Sequence, residues 1–130
     1  MIEYFARAAF SFLNVSLFVA AFGHAAPSAA SELQLLMFDQ AGCVYCEQWE
    51  AEIGPIYPVT DEAQVAPLTK IDIDADLPEG VVLRRPAAFT PTFVLLDDGQ
   101  EVGRIEGYPG EDFFWFLLGE LIDGVALAES

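Results

Sequence analysis

Basic residues are scarce in this chain. Five Lys plus Arg face 21 Asp plus Glu in 130 residues, a formal net charge of −16. A surface of that sign repels polyanions, so nucleic acid is not expected as a partner, and anionic lipid headgroups are repelled too. The plain meaning of the acidity is solubility; a sharper one is selection of partners with neutral or basic docking surfaces. Cysteine is nearly absent as well, with Cys43 and Cys46 the two in the chain. A disulfide scaffold for a domain this size would need more bridges. A bridge closing so short a loop also adds little stability through chain entropy. The pair therefore reads as reactive rather than structural. Histidine occurs once, as His24. The length leaves no room for a second domain, yet a hydrophobic fraction of 54% is ample for one packed core.

The apolar run Ala8–Phe22 is short for a bilayer span of about 20 residues. It follows a short head, Met1–Arg7, in which Arg7 and the amino terminus are partly offset by Glu3. Small residues at Gly23 and Ala25 close the run in the pattern a signal peptidase reads. Residues 1–25 are thus expected to be a cleaved secretory signal, with Ala26 and Ala30 as alternative ends. An uncleaved anchor ranks second and a buried core helix last. Cleavage removes Arg7 and Glu3 together, so the charge stays at −16, and it removes His24. The mature protein, expected in the periplasm, then has no histidine to serve as base or metal ligand.

Residues 26–32 form a small, Pro-containing lead-in, residues 33–124 the expected domain, and residues 125–130 a C-terminal tail. Leu33–Phe38 is an almost continuous apolar run, as a buried central strand requires. From Cys43 the period becomes helical, with Cys46, Trp49, Ile53 and Ile56 on one face, until Gly54-Pro55 ends or kinks the helix. Thr60 is placed to cap one further turn over Asp61–Val65. Leu68–Ile73 reads as a second strand. Asp74–Ala88 is a connection with a short helix expected around Val81–Arg84. Thr92–Leu96 and Glu101–Glu106 are strands joined by a hairpin turn whose signal is Asp98-Gly99. Asp112–Ile122 is a closing helix, with Phe113, Phe116, Leu117 and Leu121 as its apolar stripe. Strand, helix, strand, connection, hairpin and helix make an α/β fold with a central, mixed four-stranded sheet flanked by helices.

Disulfide exchange needs a thiolate at a reachable site and a second thiol close enough to resolve the mixed disulfide. Cys43-Val44-Tyr45-Cys46 at a helix start meets both needs. Cys43 stands where free backbone N–H groups favour its thiolate, so it attacks. Cys46 lies one turn along, sheltered, so it resolves; Val44 and Tyr45 line the gap. A zinc site needs four ligands, and there is no second cysteine pair and no mature histidine; two buried unreactive thiols are the other competing reading. Redox chemistry is favoured because C-x-x-C in a strand–helix–strand setting is its cue. No metal or cofactor is expected.

Gly42-Cys43-Val44-Tyr45-Cys46, then Thr90-Pro91-Thr92 opening a strand, then Gly107 after the next, resembles the thioredoxin superfamily over Leu33 to about Gly124. The resemblance implies the short form of the thioredoxin-like fold and a cis peptide bond before Pro91. It implies that Pro91 packs against the cysteines and that Thr90, on the flanking backbone, pairs with the substrate as a short added strand. Pro91, Gly107 and Tyr45 complete the implied substrate-facing set. The chain departs from typical members: Gly42 replaces Trp, Val44-Tyr45 replaces Gly-Pro, and Met37 stands where a buried Asp would relay a proton. Tyr45 before Cys46 is similar to the Cys-Pro-Tyr-Cys of glutaredoxins, without the Pro. The longer pattern, Gln40–Trp49, Thr90–Leu96 and Gly103–Gly110, is similar to periplasmic thioredoxin-like SoxS proteins, associated with bacterial sulfur oxidation.

The expected activity is therefore that of a monomeric protein disulfide reductase. It acts on thiols or disulfides of exported proteins, a sulfur-oxidation carrier protein among them, and draws electrons from a membrane-embedded thiol carrier. Glutaredoxin-like removal of glutathione is one alternative; a binding module whose thiols are incidental is another. Glu47, Glu50 and Glu52 oppose thiolate formation at Cys43, which favours a reductant. Arg84-Arg85 could steer an acidic peptide or glutathione but is expected to be a solvated turn. Asp72, Asp74 and Asp76 lack the Gly and Glu of a calcium loop and read as a strand end. Trp49 and Phe113–Phe116 could form a docking patch, but helical spacing makes most of them core, with Phe113 and Phe116 facing inward more fully than Phe114 and Trp115. One exposed aromatic is a hint of a partner or membrane-protein contact.

Overall fold

Leu35, Leu36, Met37 and Phe38 are all buried in strand β1, Leu33–Asp39. A strand covered on both faces cannot alternate with polar residues, and β1 is an inner strand. In the computed structural model, which describes residues 31–130, the sheet order is β2-β1-β3-β4. The expected signal segment lies outside the described residues. β2 (Leu68–Asp72) runs parallel to β1, while β3 (Thr92–Asp97) is antiparallel to both β1 and β4 (Gln100–Glu106). The parallel pair needs a long crossover, and residues 40–67 supply it. In the β3–β4 turn, Asp98 and Gly99 have φ of 47° and 82°, the paired left-handed conformation of a hairpin turn that matches strand twist. A Cβ on Gly99 would also lie 2.3 Å from the Gly80 carbonyl oxygen, so no other residue fits there.

The crossover contains α1 (Val44–Glu52), a 3₁₀ turn at Tyr57–Val59 and α2 (Asp61–Val65). Cys46, Trp49 and Ile53 are buried on the sheet-facing side, as their spacing predicts. Ile56 is not: the helix ends at Gly54-Pro55, its period is lost, and Ile56 is exposed. Thr60 caps α2 as expected, its Oγ1 accepting from the Ala63 amide at 3.2 Å. Thr60→Ala should lower stability by about 1 kcal/mol, read as a shifted urea midpoint at unchanged slope.

The closing helix corrects the sequence reading in phase and in length. Helix α3 runs Glu111–Glu129, and its buried residues are Phe114, Leu118 and Val125. Phe113 and Phe116, expected inside, are 64% and 61% exposed. Four successive aromatics offer any phase locally. The full series Phe114, Leu117, Leu118, Leu121, Ile122 and Val125 has the helical period over three turns and meets the sheet. Val125 belongs to the core, so the expected tail is helical through Glu129. No helix among the described residues is long and apolar enough to cross a membrane.

The two faces of the sheet are covered differently. Leu35, Met37, Phe93 and Leu95 meet α1 and α3 on one face. Leu36, Phe38, Val94 and Leu96 on the opposite face are covered by Ile73, Val81, Leu83 and Ala87 of the connection. No helix forms at Val81–Arg84. Val82 instead bridges to Gln100 in parallel, its N–H donating to the Gly99 carbonyl at 2.8 Å and its carbonyl accepting from Glu101 N–H at 3.0 Å. Pro78, Pro86 and a left-handed Gly80 (φ 83°) favour extended chain over helix. Alternation then puts Val81 and Leu83 against the sheet. The helices thus cover one face and an extended connection covers the other.

Candidate active site

The chain leaves β1 through Gln40–Gly42, where Gly42 takes a left-handed φ of 78° and the Cys43 amide bonds back to the Gln40 carbonyl at 3.2 Å. That turn delivers Cys43 to the N-cap of α1, with extended backbone angles of −77° and 105°. Cys43 Sγ accepts from the Cys46 amide at 3.1 Å. The sulfur occupies the place that a Ser or Asp oxygen takes in an ordinary cap, and in the dithiol state the same amide and the helix end favour a thiolate there. Here the two sulfurs are joined in a disulfide, with Cα atoms 5.2 Å apart. Cys46 is 2% exposed, whereas Cys43 is half-buried. Val44 and Tyr45 between them are exposed, so a partner approaching the disulfide meets Cys43 and two apolar side chains.

The Thr90–Pro91 peptide bond is cis. Phe38 pairs with Thr92, which brings Pro91 to the end of β1 that opens into the Cys43 turn. Pro91 and Thr92 are buried and Thr90 is half-buried. Thr92 Oγ1 donates to the Phe89 carbonyl at 2.7 Å. The Gly107 amide donates to the Pro91 carbonyl at 2.8 Å from a left-handed φ of 86°. Gly107 N–H is therefore committed inside the fold, holding Pro91, and is not free for a substrate.

On the β2 side of the disulfide lies an open cavity of about 670 Å³. Cys43, Cys46, Asp39, Glu47, Glu50, Asp72 and Lys70 are among its walls. Lys70 is ion-paired with Glu50 and sits in register with Met37. Of the three acids expected to oppose the Cys43 thiolate, Glu47 and Glu50 share this cavity with it. Glu52 does not: it accepts from Tyr108 Oη and from Gln48. Those hydrogen bonds, Tyr108's first, hold the Glu52 carboxyl below its usual range. Burial, and then the bond to Glu52, push the Tyr108 hydroxyl up.

A buried ion pair escaped the sequence reading. Glu101 and Arg104 of β4 have side chains only 1% and 6% exposed. Arg104 Nε and Nη2 donate to the two carboxylate oxygens at 2.6 and 2.7 Å. In a regular strand, residues three apart point to opposite faces. Here Leu95 pairs with Gly103 and Leu96 with Glu101, so Val102 is an inserted bulge residue, and the bulge turns both charges to one side. Opposite charges flanking a short run with a glycine were the available signal, but the bulge itself has no mark in the sequence. Arg84 and Arg85 are exposed in a bend, as expected; Arg85 pairs with Glu106, and the Arg84 backbone amide donates to Glu101. Asp72 caps its own strand end, accepting from the Asp74 amide at 2.8 Å. No cluster of three metal-capable His, Cys, Asp or Glu occurs among the described residues.

Comparison with known proteins agrees with this geometry. No curated protein matches the chain. The crystal structure of the periplasmic thioredoxin SoxS from Paracoccus pantotrophus, in its reduced form, is similar at 56% sequence identity and a TM-score of 0.69. The match covers 71% of this chain and 97% of that one. The family model of the thioredoxin-like domain matches residues 23–121. The chain belongs to the thioredoxin-like family, with Cys43 and Cys46 in the C-x-x-C spacing of a thiol–disulfide oxidoreductase.

Proposed function

We propose that this chain is an exported protein disulfide reductase that keeps cysteines of other periplasmic proteins reduced. The observation that carries the reading is the asymmetry of the pair: Cys43 half-buried at a helix N-cap, Cys46 sealed one turn along. The Cys43 thiolate attacks a substrate disulfide, forming a mixed disulfide and expelling one substrate thiolate, which takes up a proton. The Cys46 thiolate then attacks Cys43 Sγ. The second substrate thiol leaves, and the Cys43–Cys46 disulfide remains, two electrons having passed to the substrate. Thr90 and Pro91 form the edge on which a substrate segment lies, with Tyr45 beside the sulfurs. The periplasmic neighbour and the signal-like residues 1–25 support export, with a mature chain starting near Ala26. A sulfur-oxidation carrier protein is the favoured substrate and a membrane-embedded thiol carrier the favoured donor. Glutathione is less favoured, because Arg85, which would greet its carboxylates, is engaged by Glu106.

Acid quenching of cells followed by alkylation tests the direction. With the donor intact, Cys43 and Cys46 should be recovered mainly as dithiol, and mainly as disulfide when the donor is deleted. A pair that stays oxidised with its donor present, and passes its disulfide to reduced substrates, would overturn the reductase reading.

A further inference from the structure

The buried Glu101–Arg104 pair is more than the sheet needs. Two charges taken out of water gain little stability from one another, and well-packed apolar residues usually replace them without loss. What distinguishes this pair is where its remaining bonds go. Glu101 Oε2 accepts from the Arg84 amide at 2.7 Å. Arg104 Nη2 donates to the Arg85 carbonyl at 2.7 Å, and Nη1 reaches the Pro86 carbonyl at 3.5 Å. Three successive residues of the connection are thus gripped by one salt bridge. Between Val82 and Thr90 no backbone group bonds to another backbone group among the described residues. The segment leads directly to Phe89, which is 49% exposed, and to the Thr90–Pro91 bond.

We infer that Glu101 and Arg104 are positioning residues: the pair clamps Arg84–Pro86 so that the Ala87–Pro91 segment is preformed for a bound peptide, although neither side chain meets it. The inference rests on the proposed role of Thr90 and Pro91 as the substrate edge. A flexible approach segment would have to be ordered on binding, and each ordered residue costs conformational entropy that appears as lost affinity. The loss falls on binding rather than on the sulfur chemistry.

The test uses the exported protein, a disulfide-linked peptide dimer as substrate and dithiothreitol as donor. The double variant Glu101→Leu/Arg104→Met removes both charges, so no lone buried ion remains. It should raise KM about fivefold or more while kcat changes less than about twofold, the signature of lost uniform binding. Amide exchange at residues 84–90 should quicken, and the alkylation rate of Cys43 should hold. Arg104→Lys, which keeps the charge but loses the fork, should raise KM by a smaller factor; it decides the matter if the double variant does not fold. Unchanged KM in a folded variant, with only a lowered melting temperature, overturns the clamp. Pro91→Ala separates the two readings. If it raises KM and the double variant does not, the clamp alone fails. If neither raises KM, the substrate edge fails with it.

Discussion

Cys43→Ser is expected to abolish thiol–disulfide exchange, by on the order of a thousandfold or more, as loss of a nucleophile does. Cys46→Ala should leave mixed disulfides that persist through non-reducing separation. The expectation follows from placement. Cys43 Sγ is the helix cap, in hydrogen-bond contact with the Cys46 amide and reachable from solvent. Cys46 is walled in by the core that Trp49 and Phe93 share. In the reduced protein, iodoacetamide should modify Cys43 far faster than Cys46, because both thiolate character and access favour it. Mass spectrometry of the trapped adducts names the partners. Comparable alkylation of both thiols would remove the assignment of roles. Partner capture and function that survive Cys43→Ser would make the chain a binding module instead.

Phe114→Ala is expected to cost about 3–5 kcal/mol of unfolding free energy, the range for truncating a buried aromatic. Phe113→Ala and Phe116→Ala should each stay within about 0.5 kcal/mol. Phe114 is fully buried and packs edge-on against Phe93 at 4.9 Å and Trp49 at 5.8 Å between ring centroids. Its ring also meets Tyr108 at 6.2 Å. Removing it opens a void in the layer that ties α3 to β3 and to the helix bearing the cysteines. Phe113 and Phe116 stand in solvent on the far side of the same helix. Urea denaturation of the three variants reads the difference directly. A costly Phe113 with a cheap Phe114 would show that the helix is docked one residue out of phase.

The reactive pair and the sheet were legible in the chain because their signals are local and redundant. β1 reads as inner because its apolar run does not alternate, the hairpin because Asp98-Gly99 suits the left-handed turn it forms. The α1 start reads from the change of period at Cys43, and the α2 cap from Thr60. Where the reading failed, the local signal was degenerate. Val81–Arg84 fits an extended chain as well as a helix, and only the open edge of β4 and the bare face at Leu36 and Val94 select the former. Phe113–Phe116 is apolar at every phase, so the phase was set by which face also presents Leu118 and Val125 to the sheet.

Sequence alone determined the chemistry of this protein: two cysteines separated by two residues at a helix start, a central apolar strand to carry them, and a strongly acidic composition. These depend on neighbours in the chain, and neighbours in the chain are what a sequence displays. Tertiary structure decided what surrounds that chemistry. It turned Glu52 away to Tyr108 while leaving Glu47 and Glu50 at the cavity beside the sulfurs. It spent the Gly107 amide on Pro91. Through a bulge at Val102 it also brought Glu101 and Arg104 to one side of a strand to grip residues 84–86. Each of these joins residues far apart in the chain, and their register is settled only when the sheet and its two unequal covers pack together.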